Sequence, residues 1–141
     1  MKKLLVITAL VLFAGIVFGQ TLNKGSIIAV HNYDIIFQPD VTSNQLLEFM
    51  EKTYKPNFEK AFPGTTLVNL MGDRGALVNK YGGMIIFDSI ELRDKYYPIA
   101  DDEGEGTGWN EEQQKIVQML NEGMSKLVIS FERTYTDWKI L

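Results

Sequence analysis

A single side chain in the sequence titrates near neutrality: His31 is the sole histidine, and cysteine is absent. An imidazole of ordinary pKa can exchange a proton at physiological pH or orient a bound molecule by hydrogen bonding. Ile27, Ala29, His31 and Tyr33 alternate along an apolar run and share one face if that run is a strand. With that face turned into a space between sheet and helices, His31 becomes a general base or a ligand-orienting group, with Tyr33 and Asp88 nearby. The competing assignment is a histidine hydrogen-bonded in a core or at a dimer interface. One histidine without cysteine leaves a catalytic metal to carboxylates, and neither H-x-H nor H-E-x-x-H occurs. Serine hydrolysis is equally unsupported, because G-x-S-x-G is absent.

Three further groups carry possible chemistry. Asp73 and Arg74 stand between Gly72 and Gly75, so Arg74 could hold a carboxylate or phosphate at the mouth of a pocket. The same residues also suit a plain β-turn in which Asp73 caps its own backbone. Trp109 and the Tyr96-Tyr97 pair could line a site for a sugar or an aromatic ligand, or anchor a core. Asp101, Glu103, Glu105, Gly106, Thr107 and Glu112 occupy positions 1, 3, 5, 6, 7 and 12 of a calcium-binding EF-hand loop. Glu replaces the shorter Asp or Asn at positions 3 and 5, Gly108 stands where an apolar residue usually locks the loop, and Pro98 breaks the entering helix. A solvated acidic loop is the alternative. The glycines at 104, 106 and 108 follow an acidic run rather than a buried strand, so they form no dinucleotide fingerprint. Calcium aside, no cofactor is expected.

The elements that must position these residues follow from periodicity. Ser26 to Phe37 is rich in Ile, Val, Tyr and Phe and reads as a strand that ends at Gln38-Pro39-Asp40. Thr42 is placed to cap a helix over 43–62, whose apolar face repeats through Leu46, Met50, Tyr54, Phe58 and Phe62. Pro56 should kink that helix or open a second part of it. Strands follow at 65–71 and 83–88, then a short helix from Ser89 to Tyr97. A long helix begins at Asn110, and residues 131–141 close as a strand. The order β-α-β-β-α-α-β, with the later helices as one crossover, is the α+β split β-α-β, or ferredoxin-like, arrangement. It implies a four-stranded antiparallel sheet with helices on one face. Ile27, Ile28, Val30, Ile85, Ile86 and Phe87 leave neither side of the sheet polar, so a second copy is expected to cover the other face.

The compartment is written at the start of the chain. Lys2 and Lys3 precede an apolar stretch from Leu4 to Phe18, and Val17-Phe18-Gly19 leads to a cut ahead of Gln20. Residues 1–19 thus read as a secretory signal peptide, 20–25 as a lead-in and 26–141 as one domain. The apolar run of 15 residues falls short of the roughly 20 that span a bilayer, so no stable membrane span is expected after cleavage. The remaining chain has 12 basic against 18 acidic side chains, a net −6. That balance disfavours nucleic acid and anionic membrane surfaces. Without cysteine, an exported chain has neither disulfides nor thiolate chemistry. A secreted or periplasmic location follows.

The segment Phe62-Pro63-Gly64, Gly72-Asp73-Arg74-Gly75, Tyr81-Gly82-Gly83, Phe87-Asp88-Ser89 and Arg93-Asp94-Lys95-Tyr96-Tyr97-Pro98, with the element order, resembles the dimeric α/β-barrel superfamily. That group includes antibiotic-biosynthesis-monooxygenase-like, EthD-like and NIPSNAP-like domains, and the resemblance covers most of residues 26–141. It implies ligands held between sheet and helices and a barrel closed by homodimerisation. The Asn, Trp and His set of the haem-degrading branch does not map, because His31 lies on the first strand rather than on a helix, so those roles are not carried over. The sequence thus points to an exported homodimer that binds a small apolar or aromatic ligand. The alternatives are a cofactor-independent enzyme of monooxygenase or isomerase type using His31, with Tyr33, Asp88 or Arg74 positioning substrate, and a dimer whose surface is its function.

Overall fold

Residues 22–98 and 108–141 are described by a computed structural model. Residues 1–19, read above as a signal peptide, and the loop residues Asp101, Glu103, Glu105 and Thr107 of the calcium-loop reading lie outside them. Among the described residues, no helix is long and apolar enough to cross a membrane.

β1 (Ile27–Phe37) is the β-branched and aromatic run read from the sequence. After the turn at Asp40, Thr42 caps α1 (Ser43–Phe49) through a capping box: its hydroxyl accepts from the Gln45 N–H, and Gln45 Oε1 accepts from the Thr42 N–H at 2.8 Å. Pro56 does not stop the chain from coiling. A π-helical turn (Met50–Tyr54) precedes it, and α2 (Lys55–Ala61) starts with the proline in its first turn. The Lys55 N–H reaches back to the Met50 carbonyl, and Asn57 Nδ2 donates to the Thr53 carbonyl at 2.7 Å. The widened turn thus absorbs the missing donor where a simple α-helix would break.

β2 (Thr65–Met71) and β3 (Tyr81–Phe87) form a hairpin. Ser89 caps α3 (Ile90–Tyr96), accepting from the Leu92 N–H at 3.2 Å. Asn110 opens α4 (Glu111–Ser125), and β4 (Val128–Lys139) closes the chain. β3 starts two residues before the glycine expected to open it. β4 starts three residues earlier than expected, because β1 offers it pairing as far as Phe37↔Val128, with a register shift between Ile36 and Phe37. The strand order β2-β3-β1-β4, antiparallel throughout, is the ferredoxin-like arrangement.

Alternation sorts the sheet into two faces. Ile27, Ala29, Leu67 and Phe87 are buried against Phe58, Phe62, Tyr96 and Leu120, so the helices lie on that face. Phe62, wholly buried, is the hub: its ring lies 4.7 Å from Phe58, 5.2 Å from Tyr96 and 5.6 Å from Trp109 between centroids. Ile28, Val30, Val68, Met84 and Trp138 fall on the other face by register, and Trp138 there stays 60% exposed.

Polar groups at the element ends are satisfied by side chains. Glu59 Oε1 accepts from the outward Leu67 N–H of edge strand β2 at 2.8 Å. Gln113, buried, does two jobs: its Oε1 accepts from the Asn110 N–H at 2.9 Å, and its Nε2 donates to the Ala61 carbonyl at 2.8 Å. It joins the start of α4 to the end of α2. Gln113→Ala strands both backbone groups, and urea denaturation should show a loss of about 1–3 kcal/mol with an unchanged slope. An unchanged midpoint would show that water replaces the amide.

Candidate functional site

The layer between sheet and helices is filled at one end and hollow at the other. Around Ile27 and Phe87 the Phe62 cluster packs solidly. Further along β1 a cavity of about 420 Å³ opens, lined by His31 and Tyr33 of β1, Tyr54 and Phe58 of the helical run, and Tyr97 and Trp109 beyond it. Glycine helps to make this space. A Cβ on Gly83 would stand 3.1 Å from the Tyr33 hydroxyl, so the phenol folds over β3 where any other residue would push it away. Gly82 and Gly83 belong to strand β3 and line the cavity.

His31 sits in the wall of this cavity with 7% of its surface exposed. Its ring stacks on Tyr33, 6.1 Å away at 23°, and on its cross-strand partner Tyr135, 5.5 Å away at 18°. Among the described residues, neither Nδ1 nor Nε2 has a hydrogen-bond partner. Burial pulls its pKa below the ordinary 6.5 and the nearby Arg133 charge adds to this, while Asp137 opposes. The imidazole is thus neutral at pH 7, with one N–H to donate and one lone pair to offer. Trp109 Nε1, also buried, likewise lacks a partner among the described residues.

The phenols around it are weak acids here. Burial pushes the Tyr33 hydroxyl up to about 12, with Tyr54 adding to the effect and Arg133 opposing it. Tyr54 and Tyr97 are raised by burial as well. All three remain protonated across the physiological range and act as hydrogen-bonding groups, not bases.

The residues singled out in the sequence divide between this site and elsewhere. His31, Tyr33 and Trp109 line the cavity together. Asp88 does not join them: it follows β3 at the far end, five residues beyond the Gly83 that pairs with His31, or about 16 Å along the strand. It is exposed, its carboxylate beside Gly64. Arg74 also lies elsewhere, on the β2–β3 turn, almost fully exposed and paired with Asp73 at 3.3 Å. Tight turn geometry keeps both of these side chains in solvent. Glu112 is exposed in the first turn of α4, and no group of three or more metal-ligating side chains occurs among the described residues.

Sequence reasoning missed Arg133, Tyr135 and Tyr54. The alternation Phe131, Arg133, Tyr135 signals a common face on the last strand. What the sequence lacks is the register that sets these three opposite Ile35, Tyr33 and His31.

The fold class is therefore α+β, ferredoxin-like, on the evidence of the sheet order itself. No protein family matches the chain, and no curated protein does. Two solved structures are similar to it in fold. One is an uncharacterized NIPSNAP-like domain protein from Burkholderia xenovorans, 13% identical, TM-score 0.45, covering 80% of this chain and 84% of that one. The other is a dimeric protein of unknown function and ferredoxin-like fold from Bacteroides fragilis, 12% identical, TM-score 0.44, covering 83% and 98%.

The lowered His31 pKa fixes a sign for pH dependence. Between the folded value and 6.5 the unfolded chain binds the extra proton, so stability is complete above 6.5 and falls as pH drops below it. Urea midpoints measured from pH 8 to pH 5 should show this loss in the wild type and a smaller one in His31→Phe. Parallel profiles would mean that the imidazole titrates normally.

Proposed function

We propose that this chain binds a small apolar or aromatic molecule in the cavity between sheet and helices, as an exported homodimer. The observation that carries the binding is the set of three buried nitrogens, two on His31 and one on Trp109, without partners among the described residues beside a cavity of about 420 Å³. Leaving a buried polar group unpaired costs about 1–3 kcal/mol, and native interiors pair nearly all of them. A ligand with an apolar body and a hydrogen-bonding group removes that cost, and the cavity wall suits such a body because aromatic and aliphatic side chains dominate it. The apolar leader after Lys2 and Lys3 supports export. The Ile28, Val30 and Trp138 face supports dimerisation by giving a second copy an apolar surface to cover.

A second reading has one observation in its favour. The neutral, buried His31 is a competent proton acceptor, which suits a cofactor-independent isomerase or monooxygenase. A binder and an enzyme share the same site and differ in turnover.

The two tryptophans, Trp109 and Trp138, supply the test, since each gives one indole N–H resonance. Trp109 belongs to the cavity and Trp138 to the opposite sheet face. Titration with 2-naphthol should shift the Trp109 signal and leave Trp138 in place, while dilution should shift Trp138. A probe that moves neither indole, or both alike, contradicts the cavity reading. A Trp138 signal and a sedimentation coefficient that ignore concentration, the latter that of a monomer, contradict the dimer.

A further inference from the structure

We propose that the ligand is an aromatic anion, a planar molecule whose carboxylate or similar oxyanion is held by Arg133 at the mouth of the cavity; this rests on the cavity being a ligand site at all. Acidic side chains outnumber basic ones 18 to 14 in the chain, yet no Asp or Glu lines the cavity among the described residues, and Arg133 is its one charged group. The other two arginines are ion-paired: Arg93 with Asp94 and Asp137, and Arg74 with Asp73. Among the described residues Arg133 forms no ion pair. Asp137, the carboxylate two positions beyond Tyr135 on the same face of β4, is the one that Arg93 holds.

The position of Arg133 suits recognition of a planar ligand. Its guanidinium lies over the Tyr135 ring, 5.5 Å from the centroid, and Tyr135 stacks on His31, which stacks on Tyr33. Arg133 and Tyr33 are themselves cross-strand partners. The helix-facing side of β1 and β4 thus presents a patch of flat π surfaces with a cation at its outer edge. An aryl ring packs against that patch, and the planar fork of the guanidinium matches a carboxylate with two parallel hydrogen bonds. The indole N–H of Trp109 is a donor without acceptor capacity, so it too calls for an oxygen on the ligand. A cationic ligand meets repulsion from Arg133 and finds no carboxylate in the wall to answer it.

Calorimetric titration at pH 7 with 2-naphthoate and with the neutral 2-naphthamide tests this. The wild type should bind the carboxylate roughly tenfold or more tightly than the amide, as expected for a charge-assisted hydrogen bond. Arg133→Gln should bring the two affinities together by weakening the carboxylate alone. Arg133→Lys, which keeps the charge without the fork, should retain part of the preference and serves if the glutamine variant does not fold. Equal affinities in the wild type, or a preference that survives Arg133→Gln, overturn the anion and leave the cavity reading standing. Binding of neither probe at about millimolar concentration overturns both.

Discussion

Burying an imidazole costs solvation free energy, and folded proteins recover most of that cost by hydrogen-bonding both ring nitrogens. His31 is buried between two tyrosine rings, and no described residue bonds either nitrogen, so the described fold holds a polar group at a free-energy disadvantage in the wall of a cavity. Everything around it maintains that condition. The rings of Tyr33 and Tyr135 fix the plane of the imidazole, the Arg133 charge and burial keep it neutral, and Gly83 leaves space for the Tyr33 phenol. The proposed ligand is what would pair with it.

The fold makes this possible by dividing the helix–sheet layer unequally. At one end Phe62 joins α2, α3 and the start of α4 into a solid aromatic cluster, and Gln113 ties the two long helical runs together by bonding the Ala61 carbonyl. That end supplies the stability. At the other end β1 and β4 run on past the shorter β2 and β3, pairing as far as Phe37 and Val128, and the layer there is lined but not filled. A tightly packed end and a hollow end on one sheet allow a strained polar arrangement to persist, because the packed end offsets its cost.

Much of the scaffold was legible in the sequence because its signals are local. Thr42 and Ser89 were readable as caps and Asn110 as the start of a helix, and each caps a helix in the structure. The run from Ile27 to Phe37 announces a strand by composition, and the element order leads to the ferredoxin-like sheet. Pro56 was readable as an interruption, though not as a π-helical turn, since that outcome depends on how Lys55 and Asn57 find carbonyls in three dimensions. The site was half legible. Alternation put His31 and Tyr33 on one face, and aromatic character brought in Trp109. Arg74 and Asp88 were drawn in by residue type alone, and the structure places one on the β2–β3 turn and the other just beyond the far end of β3. Arg133 and Tyr135 were missed because strand register over a hundred residues of chain is set by tertiary pairing, which no local pattern encodes.

The central claim is that the nitrogens of His31 and Trp109 await a ligand's polar atom. A high-resolution crystal structure of the protein grown with 2-naphthol measures this most directly. The account predicts the naphthalene ring in the cavity against Tyr33 and Tyr97, with its oxygen within hydrogen-bond distance of His31 or of Trp109 Nε1. Ordered waters bonded to all three nitrogens, unmoved by the probe and with the naphthol bound elsewhere or not at all, would contradict it.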